Sequence, residues 1–327
     1  MKKIVVGIPS LNNEKTIGSV TEQIAKGLLQ NFADDKLFIV NSDGGSKDST
    51  VKNFLNTKTP GIEKIALKDK GPKGKGSGLK AIFEFIKKEN AAAGATFDAD
   101  LKAITPAWVK DMLLPIVLKE FNYATPLYLR HQYDGTITNT LAYPLTTALY
   151  GKEIRQPIGG DFAFSSRLVL KWLKENPPAN FGIDIFMTTT AIINNFRICQ
   201  VYLGPKIHQT KNPEDLKDMF IAVSDKLFEL ANQNKNKWEK ESNIKKIPVF
   251  GTKSNERPPK ISIDLQKLRK YGIISQNDWV KIVYDYLKER RPAKNLVPYY
   301  LKATASLIFE NWNLEKLTKL FLELKPK

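Results

Sequence analysis

Asp98-Ala99-Asp100 places two carboxylates two residues apart, just beyond an apolar stretch. At this spacing they can share one hard cation and a ligand hydroxyl. Mg²⁺ or Mn²⁺ held by carboxylates commonly bridges to substrate phosphates. Taken alone, the pair also reads as a solvated acidic turn. Lys73-Gly74-Lys75-Gly76-Ser77-Gly78 joins glycines, which allow close backbone approach, to a lysine that can neutralise phosphate charge. It is neither a Walker A loop nor a dinucleotide fingerprint, because the lysine sits between glycines and the first strand is far upstream. A flexible basic turn is the plain alternative. Gln156-Pro157-Ile158-Gly159-Gly160-Asp161 sets paired glycines before a carboxylate, which suits a tight turn against sugar hydroxyls or an ordinary turn. Asp184, in Phe181-Gly182-Ile183-Asp184, falls in a first helical turn, where an acid also simply complements the helix dipole. His208 follows an apolar strand and Gly204-Pro205-Lys206. A lone histidine is more often a polar surface or core residue than a metal ligand, and His131 beside Arg130 is equally open.

These residues sit between elements whose patterns are readable. Ile4 to Ile8 is a β-branched run ending at Pro9, a buried strand. Thr16 to Gln30 carries Ile17, Val20, Ile24 and Leu28 at helical spacing. Leu37 to Val40 is a second strand, closed by turn residues Asn41 to Ser46, and Ser49 opens another helix. Ile62 to Leu67 is a third strand. A helix follows from Leu79 to Lys88, then a strand through Ala95 to Phe97 into the acidic pair. Strand–helix alternation with short loops predicts a mostly parallel sheet covered by helices. Ligands bind such sheets at the carboxyl ends of the strands, so these loops should face one crevice. Further on, strands are expected at Tyr123 to Tyr128, before Phe164, and at Ile198 to Leu203. Helices are expected at 139–150, 182–196 and 213–232. The stretch 234–260 reads as a long Lys-, Asn- and Pro-rich connection. Residues 261–324 read as helical, with breaks at Gly272 and Pro292.

Composition narrows the function classes. The chain has 327 residues, enough for two domains or one large α/β unit with an appendage. With 42% hydrophobic residues, disorder of the whole chain is excluded. One Cys, Cys199, and two His exclude a disulfide scaffold, a thiolate zinc cluster and a multi-histidine metal site. No apolar run approaches the roughly eighteen residues of a membrane span, and no signal peptide pattern opens the chain. A cytoplasmic protein is expected. The net charge of +17 invites a nucleic-acid reading. Against it, cations are spread along the whole chain, Lys dominates over Arg, and no aromatic-and-basic binding module appears.

The ordered set IPSLNNEKTI, NSDGGSKDST, GKGSGL, FDADL, QPIGGDFAFS and FGIDIF, with the region around His208, resembles nucleotide-sugar glycosyltransferases of the GT-A type. More narrowly, it resembles the retaining enzymes that make glucosylglycerate, glucosyl-3-phosphoglycerate and mannosylglycerate. The match runs from Ile8 to about Phe220. The resemblance implies a GT-A catalytic domain over 1–220 and a helical C-terminal region over 221–327. It implies that Pro9, Leu11, Glu14 and Asp43 hold the base and ribose of the donor, that Lys75 approaches the diphosphate, and that Asp98 contacts the ribose. Asp100 and His208 would bind a divalent metal, Mg²⁺ or Mn²⁺. Gly159, Gly160 and Asp161 would line the donor sugar, Asp184 would sit near the reacting groups, and Asp161 and Asp184 would be the catalytic residues. Arg130, Thr136 and Thr138 would hold the acceptor.

The expected reaction moves glucose or mannose from UDP-glucose, GDP-glucose or GDP-mannose to D-glycerate or 3-phosphoglycerate, giving a compatible-solute type product. A metal and a lysine can stabilise charge on the departing diphosphate, so no acid on the leaving group is required. Relatives using 3-phosphoglycerate carry an Arg in the acceptor loop where Thr136 stands, which leans the acceptor slightly towards unphosphorylated glycerate, although Arg130 and Arg155 could still hold a phosphate. The alternative is an inverting GT-A hexosyltransferase acting on a polyprenyl phosphate, which would need a carboxylate such as Asp161 as general base. Helical tails in such enzymes can form homodimers, but no seam is visible in this one.

Overall fold

The computed structural model describes residues 1–68, 74–131, 133–207, 211–253, 256–261 and 263–326. The chain opens with β1 (Lys3–Ser10), α1 (Ile17–Phe32), β2 (Lys36–Asp43), α2 (Thr50–Asn56), β3 (Glu63–Lys68), α3 (Lys75–Glu89) and β4 (Ala93–Thr96). It continues with α4 (Pro106–Val117), β5 (Tyr123–Leu129), and a π-helical turn (Thr138–Ala142) running into α5 (Tyr143–Tyr150). Next come β6 (Lys152–Glu153), β7 (Phe162–Ser165), α6 (Ser166–Lys174), α7 (Ile183–Ile193) and β8 (Ile198–Pro205). The remainder holds α8 (Lys217–Gln233), α9 (Lys235–Trp238), β9 (Lys245–Lys246), β10 (Val249–Phe250), α10 (Leu265–Arg269), α11 (Gln276–Glu289), α12 (Val297–Phe309) and α13 (Leu314–Glu323).

Eight strands form one sheet in the order β10-β8-β5-β7-β4-β1-β2-β3. β7 runs antiparallel to β4 and β5, and the other pairs are parallel. This is the mostly parallel α/β sheet that the alternation predicted, and it agrees with the GT-A type that the resemblance implied. Period-two alternation in β1 feeds both faces. Ile4, Val6 and Ile8 pack with Ile17, Val20, Ile24 and Leu28 of α1 on one side. Val5 joins Phe38, Val40 and the α3 residues Leu79, Ile82, Phe83 and Ile86 on the other. That second core also takes in Trp279, Tyr300 and Phe321 of the last helices, each fully buried. Burying such a side chain contributes about 1.5–3 kcal/mol, so the tail helices are packed onto the sheet's own core. Residues 220 and 221 are consecutive positions within α8.

Three expectations are revised. The glycine–lysine stretch is not a loop in its described part, because α3 already begins at Lys75. The stretch 234–260 is more than a connection: β10 extends the sheet beside β8, and β9 pairs with β6. The tail breaks a third time, between α12 and α13. α10, α11 and α13 each start at a side-chain cap, where Asp264, Ser275 and Asn313 accept a backbone N–H three residues on. Among the described residues, no helix is long and apolar enough to cross a membrane.

Candidate functional site

A cavity of about 790 Å³ opens at one edge of the sheet. Pro9 and Ser10 end β1, Ser42 lies near the end of β2, Asp98 to Asp100 follow β4, Arg130 follows β5 and Lys206 follows β8, and all line it. Because β7 is antiparallel, the turn before it, Gly159-Gly160, falls at the same edge. The first turns of α3 and α7 complete the floor with Lys75 and Asp184.

Charges alternate across that floor. Lys75 Nζ lies 3.3 Å from Asp184 Oδ2 and 3.2 Å from Asp98 Oδ1. Lys206 Nζ lies 3.6 Å from Asp98 Oδ2 and 3.0 Å from Asp161 Oδ2. Asp161 is fully buried; it also accepts from Tyr128 Oη and, at 2.8 Å, from the Asp98 backbone N–H. Burial opposes ionisation of Asp98, but Lys75 and Lys206 overcome it and hold its carboxyl at about 2. Burial raises Asp161 and Asp184 above the ordinary carboxylate value, against the pull of Lys206 and Lys75 respectively. Burial also opposes the charge on Lys75, yet Asp184, Asp98 and Asp161 keep it well above the usual lysine value. Gly160 makes the Asp98 contact feasible. Its φ is +93°, and a Cβ there would stand 2.4 Å from Asp98 Oδ2.

The cleft brings together Pro9, Leu11, Lys75, Asp98, Asp100, Arg130, Thr136, Thr138, Gly159, Gly160 and Asp184 of the expected residues. Glu14 and Asp43 do not line it. Glu14 accepts from the Ser49 N–H at 3.1 Å, tying the loop after β1 to the start of α2. The Asp43 carboxylate accepts from the backbone N–H groups of Gly45 and Ser46, at 3.0 and 2.9 Å, so it shapes the loop after β2. Asp161 lies beneath the floor with its oxygens engaged, which does not suit contact with a donor sugar or service as general base. His208 lies outside the described residues. Thr136 lines the cleft, but its hydroxyl is 2.8 Å from Tyr300 Oη of α12. Lys206 was missed: it is one lysine among many in the sequence, and only the fold buries it between Asp98 and Asp161.

The donor set was tested for a divalent cation. Asp100 is exposed at the cleft and makes no hydrogen bond or ion pair with a described residue, so its oxygens are available. Among the described residues no group of three or more His, Cys, Asp or Glu forms a cation cage. A single free carboxylate at a cleft fits a cation that takes its other ligands from substrate phosphates and water. Asp98, held by two ammonium groups, fits that role poorly.

No family model matches the chain. It is 27% identical over 235 residues to a glucosyl-3-phosphoglycerate synthase of Mycolicibacterium smegmatis, covering 68% of this chain and 75% of that protein. It is 25% identical over 238 residues to the Mycobacterium tuberculosis protein of the same name, covering 68% and 71%. A crystal structure of the M. tuberculosis enzyme with Mn²⁺, UDP-glucose and phosphoglyceric acid superposes with a TM-score of 0.58 at 24% identity, over 71% of this chain and 80% of that one. The same enzyme with Mg²⁺ and UDP gives 0.57 at 24% identity, over 71% and 80%. In sequence and in fold, this chain is similar to the glucosyl-3-phosphoglycerate synthases.

Proposed function

We propose that this protein transfers glucose from UDP-glucose to the free hydroxyl of 3-phosphoglycerate with retention of configuration, using Mn²⁺ or Mg²⁺. Its catalytic portion is assigned to 1–220, with 221–327 as a supporting helical region. The observation that carries the reading is the alternating Asp184–Lys75–Asp98–Lys206 floor beside the free Asp100 carboxylate, in a cleft at the carboxyl edge of the sheet. The relatives' named activity and ligands support the donor, acceptor and metal.

In this reading Pro9 and Leu11 flank the uracil and ribose. Lys75 and Lys206 are aligned towards the diphosphate, held ready by their carboxylate partners. Asp184 Oδ1 is buried with no hydrogen-bond partner. Such an orphan acceptor costs about 1–3 kcal/mol, and a hydroxyl of the bound glucose would satisfy it. Asp100, with His208 as the other expected ligand, would hold a divalent cation, which would neutralise charge at the departing diphosphate. The bond between sugar C1 and the diphosphate oxygen breaks, and one from C1 to the acceptor oxygen forms. The acceptor proton passes to the leaving phosphate oxygen. Asp184 is paired with Lys75 and Asp161 lies under the floor, so neither is arranged as a covalent nucleophile.

The test is a matrix of UDP-glucose, GDP-glucose and GDP-mannose against 3-phosphoglycerate and D-glycerate, with each metal. An α-linked product by NMR is expected from UDP-glucose and 3-phosphoglycerate. Asp100→Asn should lower turnover by about 100–1,000-fold while leaving the thermal midpoint unchanged. Undiminished activity in Asp100→Asn would remove Asp100 from the metal site, and a β-linked product would overturn retention.

A further inference from the structure

Behind the acceptor loop lies a second cavity of about 300 Å³. Arg130, Asn139 and Arg155 wall it from the sheet side, and Asn311 and Trp312, between α12 and α13, from the tail. Arg130, Gly135 and Thr138 line both this cavity and the main cleft, so the two are neighbours across one stretch of chain.

Arg155 is the unusual group. It is partly buried, lies 4.6 Å over the Tyr143 ring and donates to Asn139 Oδ1 at 3.0 Å. No described carboxylate forms a salt bridge with it. Burial pulls its pKa below the ordinary arginine value; Tyr143 and Glu153 oppose this, and the nearby Arg130 adds to it. Arg130 has one carboxylate, Asp134, at 3.6 Å, and its buried Nε has no hydrogen-bond partner. Two guanidinium groups thus line a partly enclosed space in which the one salt bridge to a described carboxylate is Arg130–Asp134, while Glu153 acts on Arg155 without direct contact. Holding a cation out of water without a counter-ion is costly. An oxyanion offsets that cost, and a guanidinium fork matches phosphate oxygens two at a time.

We propose that the Arg130–Arg155 cavity is a phosphate subsite and that it takes the phosphate of the acceptor. The second half rests on the reading of this chain as a phosphoglycerate glucosyltransferase. Arg130 carries the connection, since it faces the cleft where the acceptor hydroxyl reacts and the cavity where Arg155 waits. Arg155 is then the residue that distinguishes 3-phosphoglycerate from glycerate.

The first measurement does not depend on turnover. Inorganic phosphate is titrated calorimetrically into the full chain with UDP saturating, so that the diphosphate site in the cleft is covered. One phosphate per chain is expected, weakened by roughly 10- to 100-fold in Arg155→Gln, with UDP affinity unchanged. No binding to the native chain, or equal binding to both, overturns the subsite. The second measurement compares acceptors. Arg155→Gln should raise KM for 3-phosphoglycerate by a similar factor and leave kcat and KM for D-glycerate unchanged. Equal losses for both acceptors overturn the specificity role. If Arg155-dependent phosphate binding is seen but neither acceptor is glucosylated, the subsite stands and the assignment of its occupant to the acceptor falls with the proposed activity. Should Arg155→Gln fail to fold, Arg155→Lys replaces it. That variant keeps the charge but loses the fork, and is expected to bind phosphate with intermediate affinity; native affinity in it overturns the guanidinium's role.

Discussion

At the scale of single residues, the buried pair Lys206–Asp161 is the most consequential feature of the floor. Lys206 is 6% exposed and Asp161 not at all. Removing one member of a buried ion pair typically costs about 3–5 kcal/mol, because the other is stranded. Lys206→Met keeps an unbranched apolar side chain and removes the ammonium that lies 4.7 Å over the Tyr128 ring. Its destabilisation should depend on pH, in a direction fixed by Asp161. Burial already raises that carboxyl in the folded state, and Lys206 is the main force lowering it. Without Lys206 the folded pKa rises further, so the folded chain takes up a proton before the unfolded chain does. The penalty is therefore full above the folded pKa and shrinks as pH falls towards the unfolded value. Denaturant midpoints of native and variant protein should converge as pH is lowered from neutral towards the ordinary carboxylate range. A gap that stays constant would show that Asp161 carries no charge in either. The acidic pair and Lys75 were legible by residue type and spacing. Lys206 was not, because what marks it is burial beside a turn that arrives from another part of the chain. Glu14 and Asp43 hold the backbone of their loops, which residue type alone does not show, because a carboxylate in a loop looks the same whether it binds a ligand or its own backbone.

At the scale of elements, the floor depends on how closely α3 and the segment before α7 approach. A Cβ at Gly76 would stand 1.9 Å from the Pro178 carbonyl oxygen, and the next residue, Ser77, donates its N–H to the Ala179 carbonyl at 3.1 Å. This contact brings the first turn of α3, with Lys75, against the first turn of α7, with Asp184. The glycines were visible in the sequence as a possible phosphate cradle, but Gly76 instead serves helix packing. Its partner is a backbone far along the chain, which no local pattern encodes. Gly76→Ala should push the two helix starts apart. Overpacking of this kind costs about 1–3 kcal/mol, and the Lys75–Asp184 distance of 3.3 Å cannot survive the shift. A lower thermal midpoint should accompany weaker binding of UDP by calorimetry. Loss of stability with unchanged UDP affinity would separate the packing from the site. Most strand and helix positions were readable because their periodicity is local, whereas β10 was hidden because two residues at a sheet edge carry no periodicity.

At the scale of the whole molecule, the tail acts on the cleft from behind. Trp279 Nε1 donates to the Thr140 carbonyl at 2.8 Å, and Lys325 Nζ to the Ala148 carbonyl at 3.2 Å. These bonds fasten α11 and the chain end to the helix that follows the acceptor loop. Tyr300 goes further. Its ring stacks on Phe220 at 4.2 Å, and its hydroxyl meets Thr136 in the acceptor loop itself. The tail therefore fixes one wall of the cleft, the wall proposed to hold the acceptor, a role that its helical pattern alone could not reveal. Tyr300→Phe keeps the stacked ring and deletes only the hydroxyl. A net hydrogen bond contributes about 0.5–1.5 kcal/mol, so the thermal midpoint should fall slightly. The kinetic effect should be selective. With Thr136 released, the acceptor wall loosens and KM for the acceptor rises severalfold, while KM for UDP-glucose holds because Pro9, Leu11 and Lys75 belong to β1, the loop after it and α3, none of which Tyr300 bonds. Steady-state kinetics with each substrate varied in turn makes the comparison. An equal rise in both constants would mean that Tyr300 supports the fold in general rather than the acceptor wall.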